Sequence, residues 1–461
     1  MSADAPGGTA AARARRPLDA LNFFLADVRD GLGPYLAIYL LTVHRWDEAA
    51  IGVVLSVGGI AGLLAQTPAG ALIDGTRAKR ALIVAAAVAI TLASVAIPFA
   101  PGFWSVAALQ ALSGVAGAVF PPAVAAVTLG IVGPRAFARR VGRNEAFNHA
   151  GNAASAAIAA ATAYFLGPVV VFWLMAAMAL LSVASTLAIP AGAIDHDVAR
   201  GLGEGGDTEP GERQARERPS GVQALLACRP LLVFAACVVL FHFANAAMLP
   251  LVGQKLALVA GKESGTSLMA VCIVAAQAVM VPVALLVGSK TDAWGRKPFF
   301  LAGFAVLAVR GVLYTVSDNP FWLVTVQLLD GVGAGVFGAL FPVIVADLTR
   351  GTGRFNVSQG AISTAHGVGA SLSTAFAGFV VVGAGYSVAF LCLAGVAAAG
   401  LALYWYAMPE TGPRRSAGAA SGEPWSGAGP LPDPASALAP SAPGQVARPH
   451  ASGAGGAGQS W

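Results

Sequence analysis

Two carboxylates stand three residues apart in the first apolar run of the chain. Asp27 and Asp30 are at positions i and i+3, so a helix places them on one face, with Arg29 between them in sequence. A charge near the middle of a membrane costs about 2.5–3.5 kcal/mol, so the two acids should face water or a partner. Neighbouring carboxylates in a low dielectric hold protons more tightly than they do in water. The pattern predicts a proton-coupling site, and a static ion pair with Arg29 is the alternative.

Other polar residues inside apolar runs are candidates to line a substrate cavity. They are Gln110, Asn148, His149, His242, Asn245, Gln327, Asp330 and His366. Asn245 and Asp330 each follow another candidate by three residues, so each pair shares a helix face. Arg310 falls at a membrane depth similar to that of Asp330, which favours a structural ion pair between them. An isolated histidine in a membrane helix has an alternative interpretation as a hydrogen-bonding residue between helices.

A short pattern of glycine, acid and basic residues occurs twice. The first copy is Gly70, Asp74, Arg77, Lys79 and Arg80, and the second is Gly288, Asp292, Gly295, Arg296 and Lys297. Glycine lets two helix ends approach closely. The carboxylate of Asp74 can accept hydrogen bonds from N–H groups at the N-terminus of a neighbouring helix, where negative charge is favoured. The pattern predicts a contact between helix ends, and the alternative for its basic residues is that they only set the membrane topology.

The composition indicates whether most of the chain is surrounded by water or by lipid. Of 461 residues, 56% are apolar and 11% are charged, and the mean hydropathy is +0.70. Soluble domains are about 25% charged. These values exclude a soluble multidomain enzyme, a disulfide-rich secreted domain and, despite a pI near 9.2, a nucleic-acid binder. The sequence contains no P-loop, no HExxH and no CxxC, so we predict no enzyme activity, no cofactor and no metal site.

The apolar runs are long enough for membrane-spanning helices. They lie at about 18–41, 49–72, 81–100, 104–129, 144–166, 169–190, 229–252, 266–289, 298–316, 321–346, 357–382 and 387–408. A helix needs roughly 20 apolar residues to cross a bilayer. The runs do not alternate between polar and apolar residues, which excludes a membrane β-barrel. The sequence therefore predicts an all-α membrane protein with twelve spans.

The distribution of basic residues predicts the orientation of these spans. Of the 28 Lys and Arg residues, only Arg45, Lys255 and Lys262 fall in predicted outer loops, and Arg29 and Arg310 fall inside spans. Basic residues concentrate on the cytoplasmic side of membrane proteins. Both termini are therefore predicted to be cytoplasmic in a multi-pass protein of a bacterial inner membrane.

The chain divides into five predicted segments. These are an N-terminal tail (1–17), a six-helix bundle (18–190), a cytoplasmic linker (191–228), a second six-helix bundle (229–408) and a disordered cytoplasmic tail (409–461). The tail is rich in Ala, Gly, Ser and Pro and cannot bury enough apolar surface to fold. The two bundles are predicted to be repeats, because Gly70, Asp74 and His149 recur in order as Gly288, Asp292 and His366 at a nearly constant offset.

With this repeated pattern of glycine, acid and basic residues, the sequence resembles the major facilitator superfamily over residues 18–408. The loop from Gly70 to Arg80 is similar to the family signature G-x-L-x-D-R-x-G-R-R/K, with Gly75 in place of the first Arg. The resemblance implies two pseudo-symmetric six-helix bundles around a central cavity that opens alternately to either side. It also implies secondary transport of a small organic solute, with a gating role for the loop that carries Asp74 and for its second copy.

The leading hypothesis for function is proton-coupled efflux by antiport. The partners are then a small-molecule substrate, protons and the lipid bilayer, and the chain is predicted to act as a monomer. The fifth span (144–166) lacks the element G-x-x-x-G-P-x-x-G-G of drug–proton antiporters, so proton-coupled uptake is an alternative. A non-transporting membrane sensor is an alternative of another class.

Overall fold

Long helices make up most of the structure, a computed structural model that describes residues 6–30, 36, 39–40, 43–46, 48–100, 102–166, 169–202, 228–260 and 262–412. The helices in these residues are α1 (Pro6–Asp30), α2 (Glu48–Gly75), α3 (Lys79–Ala96), α4 (Phe103–Gly117), α5 (Phe120–Leu166), α6 (Val170–Ala188), α7 (Arg229–Asn245), α8 (Met248–Ala260), α9 (Lys262–Trp294), α10 (Lys297–Leu313), α11 (Pro320–Leu348) and α12 (Phe355–Ala407). Three 3-10 turns cover Ile97–Phe99, Ala191–Ala193 and Val198–Arg200. Most of the predicted linker (203–227) and of the predicted tail (413–461) lies outside the described residues.

Apolar helices of membrane-spanning length confirm the predicted all-α membrane fold. The described residues contain eight helical stretches that are long and apolar enough to cross a membrane. Lipid offers no hydrogen-bond partners, and a helix satisfies its backbone groups within the segment. Two of the eight stretches, Phe103–Ala159 and Phe355–Ala407, contain 57 and 53 residues, more than twice what one crossing needs. The count of twelve spans stays a prediction.

Helix breaks divide the longest helices. The backbone of Gly133 in α5 has φ 69° and that of Gly385 in α12 has φ 85°, values that glycine adopts readily. Gly385 lies where the sequence predicts the separation of the last two spans. The stretch 130–143, predicted to separate spans four and five, is helical except at Gly133. Its Arg and Ala residues favour a helix, which explains the difference.

A further break lies inside the predicted run 229–252. Helix α7 ends at Asn245 and α8 begins at Met248. The N–H group of Ala247, between the two helices, donates a 3.1 Å hydrogen bond to the hydroxyl oxygen of Ser373 on α12. A side chain of a neighbouring helix therefore supplies a partner at the break.

The helices pack as two halves that meet along two seams. In the first half (α1–α6), α1 packs against α5 and α6, and α2 against α4. In the second half (α7–α12), α7 packs against α12 and α9 against α11. The halves meet where α2 contacts α12 and where α5 contacts α9. These contacts all lie within one compact unit, Met1–Arg414.

Aromatic side chains form the centre of the second half. Phe241 stacks on Phe337 at 5.3 Å between ring centroids, and Phe300 stacks on Tyr404 at 4.7 Å. Large apolar side chains also point outward, as shown by Val382, which is 91% exposed. An apolar exterior around a packed interior is the arrangement that a lipid solvent favours, and it fixes which residues face inward.

Candidate functional site

The carboxylate of Asp74 joins the two halves at one end of the bundle. Asp74 is buried in the last turn of α2 and faces the first turn of α12. One of its oxygens accepts hydrogen bonds from the backbone N–H of Asn356 at 3.2 Å and from the Asn356 side-chain amide at 2.8 Å. The other oxygen accepts from the N–H of Val357 at 2.8 Å. The first N–H groups of a helix have no partner within it, so the carboxylate satisfies two of them and complements the helix dipole.

Asn356 connects this contact to the chain that follows α6. Its side-chain amide also donates a 3.0 Å hydrogen bond to the backbone oxygen of Ala199. The N–H of Gly351 donates to the oxygen of Gly201 at 2.6 Å, which adds a second backbone contact. The beginning of the predicted linker (191–202) is thus an ordered part of the contact. The sequence signal for Asn356 is only that Asn is common at helix starts.

Small residues let α2 approach α12 at backbone distance. A Cβ atom added at Gly70 would overlap the backbone oxygen of Asn356, and one added at Gly360 would overlap the backbone oxygen of Gln66. The hydroxyl oxygens of Thr67 and Thr364 are 3.2 Å apart across the same seam. Packing and hydrogen bonds therefore hold α2 against α12 together.

The seam between α5 and α9 has fewer polar contacts. A Cβ atom added at Gly142 would meet the backbone of Gly288, one of the predicted gating glycines, at 2.6 Å. Further along, the Nδ1 atom of His149 lies 2.7 Å from the Oε1 atom of Gln277. The Nε2 atom of His149 lies 3.9 Å from the Glu145 carboxylate. His149 therefore contacts the second half directly.

The three basic residues after Asp74 have different environments. Lys79 is buried, and its ammonium donates to the Thr76 oxygen at 2.7 Å. Arg80 donates to the backbone oxygens of Thr186 and Leu187 at 3.2 and 2.8 Å, which satisfies the last turn of α6. Arg77 is exposed.

The charged residues of the second copy make their contacts within the second half. The buried Arg296 donates to Asp292 at 2.7 Å and to Asp347 at 3.1 Å. The Glu410 carboxylate accepts from the N–H groups of Arg296 and Lys297 at 2.8 and 3.0 Å, at the start of α10. Asp292 itself is exposed. Gly295 between these residues has φ 90°.

A buried guanidinium organises a polar cluster in the second half. Arg310 donates to Asp330, and it also donates to the side-chain oxygen of Asn245 at 2.6 Å. Gln327 donates to Asp330 at 3.0 Å and accepts from the hydroxyl of Tyr314. The structure thus brings three of the cavity candidates together around Arg310, at the end of α7. Tyr314 carries no separate signal in the sequence.

Two more cavity candidates are stacked on each other. The imidazole rings of His242 on α7 and His366 on α12 are 3.5 Å apart between centroids and nearly parallel. The ring of Phe337 on α11 meets that of His242 edge-on at 4.4 Å. His242 is 8% exposed, and its Nε2 atom has no hydrogen-bond partner among the described residues.

The first-half candidates are more dispersed. Asp27 on α1 and Asn148 on α5 are buried, and Gln110 on α4 is half-buried. The side chains of Arg29 and Asp30 lie outside the described residues. The predicted relation of Asp27 to these two residues therefore stays a prediction.

An additional ion-pair cluster lies near the middle of α1. Asp19 accepts from Arg140 at 2.7 Å and from two nitrogens of Arg143 at 2.9 and 2.7 Å. Arg140 also donates to Asn144, which in turn donates to the Thr128 hydroxyl. Asp19 lies more than 120 positions from both arginines in the chain, so no local sequence pattern marks their pairing.

A family model matches most of the chain. The model of the Major Facilitator Superfamily matches residues 19–289 and 264–449. The chain belongs to the major facilitator superfamily. It is thus a transporter that moves a solute across a membrane, not an enzyme, and it is a multi-pass membrane protein.

Relatives and solved structures agree with this membership. Proteins from two strains of Mycobacterium tuberculosis, each described as an uncharacterized MFS-type transporter, are 62% identical over 399 residues, which cover 87% of this chain and 94% of each relative. The proton:xylose symporter XylE, bound to 6-bromo-6-deoxy-D-glucose, has a TM-score of 0.67 at 12% identity, over 88% of this chain and 96% of that one. FucP in the outward conformation has a TM-score of 0.66 at 14% identity, over 87% of this chain and all of that one. The structural likenesses show a shared fold.

Removal of Arg310 should destabilise the transporter strongly. Arg310→Ala leaves Asp330 buried without its guanidinium, and breaking a buried ion pair typically costs about 3–5 kcal/mol. The matched control is Arg350→Ala, because Arg350 is half-exposed and pairs with Asp347 at 3.3 Å. Asp347 keeps its buried partner Arg296 in this variant, so loss of the half-exposed Arg350 should cost only about 0–1 kcal/mol. The midpoint of thermal unfolding in detergent measures both, and equal shifts would contradict the structural role of Arg310.

Proposed function

We propose that this transporter exports a small organic solute across a bacterial inner membrane in exchange for protons, by alternating access. Membership of the family supports transport of a solute, and the buried carboxylate of Asp27 in α1 carries the proposal of proton coupling. The sequence contains no P-loop that would bind ATP, so an ion gradient is the energy source in this proposal. Proton-coupled uptake, which would use the same carboxylate, is the alternative.

The end of the bundle that carries Asp74, Arg140 and Arg296 is here called the basic end. We assign the basic end, and with it both termini, to the cytoplasm, because basic residues concentrate on that side of membrane proteins. Two contacts support the assignment of these residues to the same end of the bundle. Phe137 of α5 lies 5.9 Å from Phe355 of α12 between ring centroids, and Gly142 packs against Gly288. In this proposed orientation, the contacts at the basic end close the cytoplasmic side.

Opening of the cytoplasmic side requires the seams to separate. On the α2–α12 seam this breaks the three hydrogen bonds that Asp74 accepts. A hydrogen bond to a charged group contributes about 1.5–3 kcal/mol. On the α5–α9 seam the separation breaks the contact of His149 with Gln277 and the close packing at Gly142. In the proposed cycle these contacts stabilise the closed state without making it permanent, and each half moves as a rigid body.

The solute itself would contact residues of both halves in the proposed cycle. His149 and Asn148 on α5 and the stacked pair of His242 and His366 lie on helices of the two halves. Aromatic rings and a few hydrogen-bonding groups are typical of small-molecule sites. We therefore propose an organic solute with both apolar surface and hydrogen-bonding groups, and a monomer as the transporting unit.

The decisive experiment is transport by the purified chain in proteoliposomes with an imposed pH gradient. A panel of organic cations, anions and neutral compounds is loaded inside or outside the vesicles, and flux is recorded with the gradient in each direction. Export in exchange for protons appears as accumulation on the acidic side. Accumulation on the opposite side would replace antiport by symport, and flux that ignores the gradient would end the proposal of coupling.

Asp74→Asn should slow transport and leave the protein folded. The amide cannot accept the three hydrogen bonds as a carboxylate does, and a loss of about 1.4 kcal/mol changes the balance between closed and open seams about tenfold. Asp292→Asn is the control at the matching position and should be milder, because Arg296 keeps its contact with Asp347. Initial rates at equal reconstitution measure both. Full activity of both variants would remove the gating role of this loop.

Asp27→Asn should abolish gradient-driven accumulation and leave downhill exchange of the solute. An amide can form hydrogen bonds but releases no proton, and Asn245 already occupies the matching position of the second half. Asp30→Asn is made in parallel, since either acid could bind the proton. A static ion pair predicts a different result, which is loss of folding with partial rescue by Arg29→Gln. Unimpaired coupling in both single variants and in the double variant would exclude both acids as the proton-coupling site.

The predicted orientation is tested by a single cysteine in the linker. Gly205→Cys, in a variant without Cys228, Cys237, Cys272 and Cys392, should react with a membrane-impermeant maleimide only after the cells are opened. Arg45→Cys, in a predicted outer loop, is the matched control and should react in intact cells. Labelling of position 205 from outside would reverse the assignment of the basic end.

A further inference from the structure

A slot of about 280 Å³ lies between α1 and α5 near the basic end. It is lined by Arg16, Asp19, Ala20, Phe23, Phe24 and Phe147. All these residues belong to the first half, and none belongs to the polar clusters around Arg310 or His242. None of its lining residues is itself a candidate substrate residue, and Phe147 directly precedes the candidates Asn148 and His149 on α5.

The polar end of the slot carries an excess of positive charge. Asp19 is the acid in its wall, and it is already paired with both Arg140 and Arg143. Arg15 and Arg16 on α1 are exposed beside this cluster, and the side chain of Arg143 is 52% exposed. Two guanidinium groups bind this carboxylate, and two more belong to residues one helical turn away on α1. A guanidinium binds a phosphate in a bidentate way.

The other end of the slot is aromatic. The rings of Phe23 and Phe24 are 5.3 Å apart between centroids, and the guanidinium of Arg143 lies 5.2 Å above the ring of Phe147. Along α1, the distance from Arg16 to Phe24 is about 12 Å at 1.5 Å per residue. This is a cationic rim followed by an apolar wall, in the order in which a phospholipid presents its headgroup and its acyl chain from the membrane surface inward.

We propose that this slot binds an anionic phospholipid. Its phosphate contacts Arg16 and Arg143, and an acyl chain lies against Phe23, Phe24 and Phe147. Basic pockets between membrane helices on the cytoplasmic side are suited to anionic headgroups. The lipid joins α1 to α5, and α5 forms the seam with α9 at Gly142, next to Arg143. Occupancy of the slot therefore stabilises the helix that bears one of the two seams.

The experiment measures lipid binding by the purified full-length chain in detergent. Dioleoyl-phosphatidylglycerol is titrated against the midpoint of thermal unfolding, and native mass spectrometry counts the lipids retained. Dioleoyl-phosphatidylcholine and inorganic phosphate are the comparison ligands. We expect saturable stabilisation by the anionic lipid and no shift with phosphate. Half-saturation with phosphatidylcholine should need at least a fivefold higher lipid concentration.

The variants locate the site. Arg16→Gln leaves the Asp19 ion pairs intact. It should raise the phosphatidylglycerol concentration at half-saturation at least fivefold. Arg139→Gln is the matched control, because Arg139 is exposed at the same end but does not line the slot. Phe24→Ala should weaken the binding of lipid and leave the response to phosphate unchanged. Equal binding by Arg16→Gln and Arg139→Gln, equal binding of the two lipids, or an equal shift with inorganic phosphate would overturn the proposal.

Discussion

The hydrogen bonds between the Asp74 carboxylate and the N-terminus of α12 are the contact on which the described arrangement of the two halves depends. A carboxylate taken out of water needs full compensation, and here two backbone N–H groups and one side-chain amide supply it. The same two helices could not meet at backbone distance if Gly70 carried a side chain. Close packing and charge compensation therefore require each other at this point. A change that weakens the packing of α2 on α12 also weakens the compensation of the Asp74 charge, and the reverse holds as well.

The repeated sequence pattern produces two different structures because its two copies have different neighbours. Asp74 reaches the opposite half, whereas Asp292 pairs with Arg296, which Asp347 and the helix-capping Glu410 hold within the second half. One seam is consequently held by charge-assisted hydrogen bonds. The other is held by glycine packing at Gly142 and by one contact of His149. A nearly repeated sequence pattern thus gives two seams that are held by different kinds of contact.

The sequence predicts the features that depend on local pattern and misses those that depend on distant partners. Apolar runs predict the membrane helices because one physical requirement, backbone pairing in lipid, determines them. The depth of Arg310 and Asp330 along their helices was enough to favour their pairing. Asn356 and Ala199 lie far from Asp74 in sequence, and nothing in the pattern pairs them with it, although Asn is common at helix starts. The helical stretch at 130–143 was missed because its charges resemble those of a loop.

The distribution of buried charge argues against Asp330 as the coupling site of the proposed cycle. In the second half Asp330 is the counter-ion of Arg310, and loss of its charge would leave a buried guanidinium without compensation. Asn245, at the repeat position of Asp27, is a neutral acceptor for the same guanidinium. A group that must gain and lose a proton in each cycle cannot also be the fixed partner of a permanent cation. Asp330 has that fixed role, so the proposed cycle assigns its coupling proton to the buried carboxylate of Asp27 and not to Asp330.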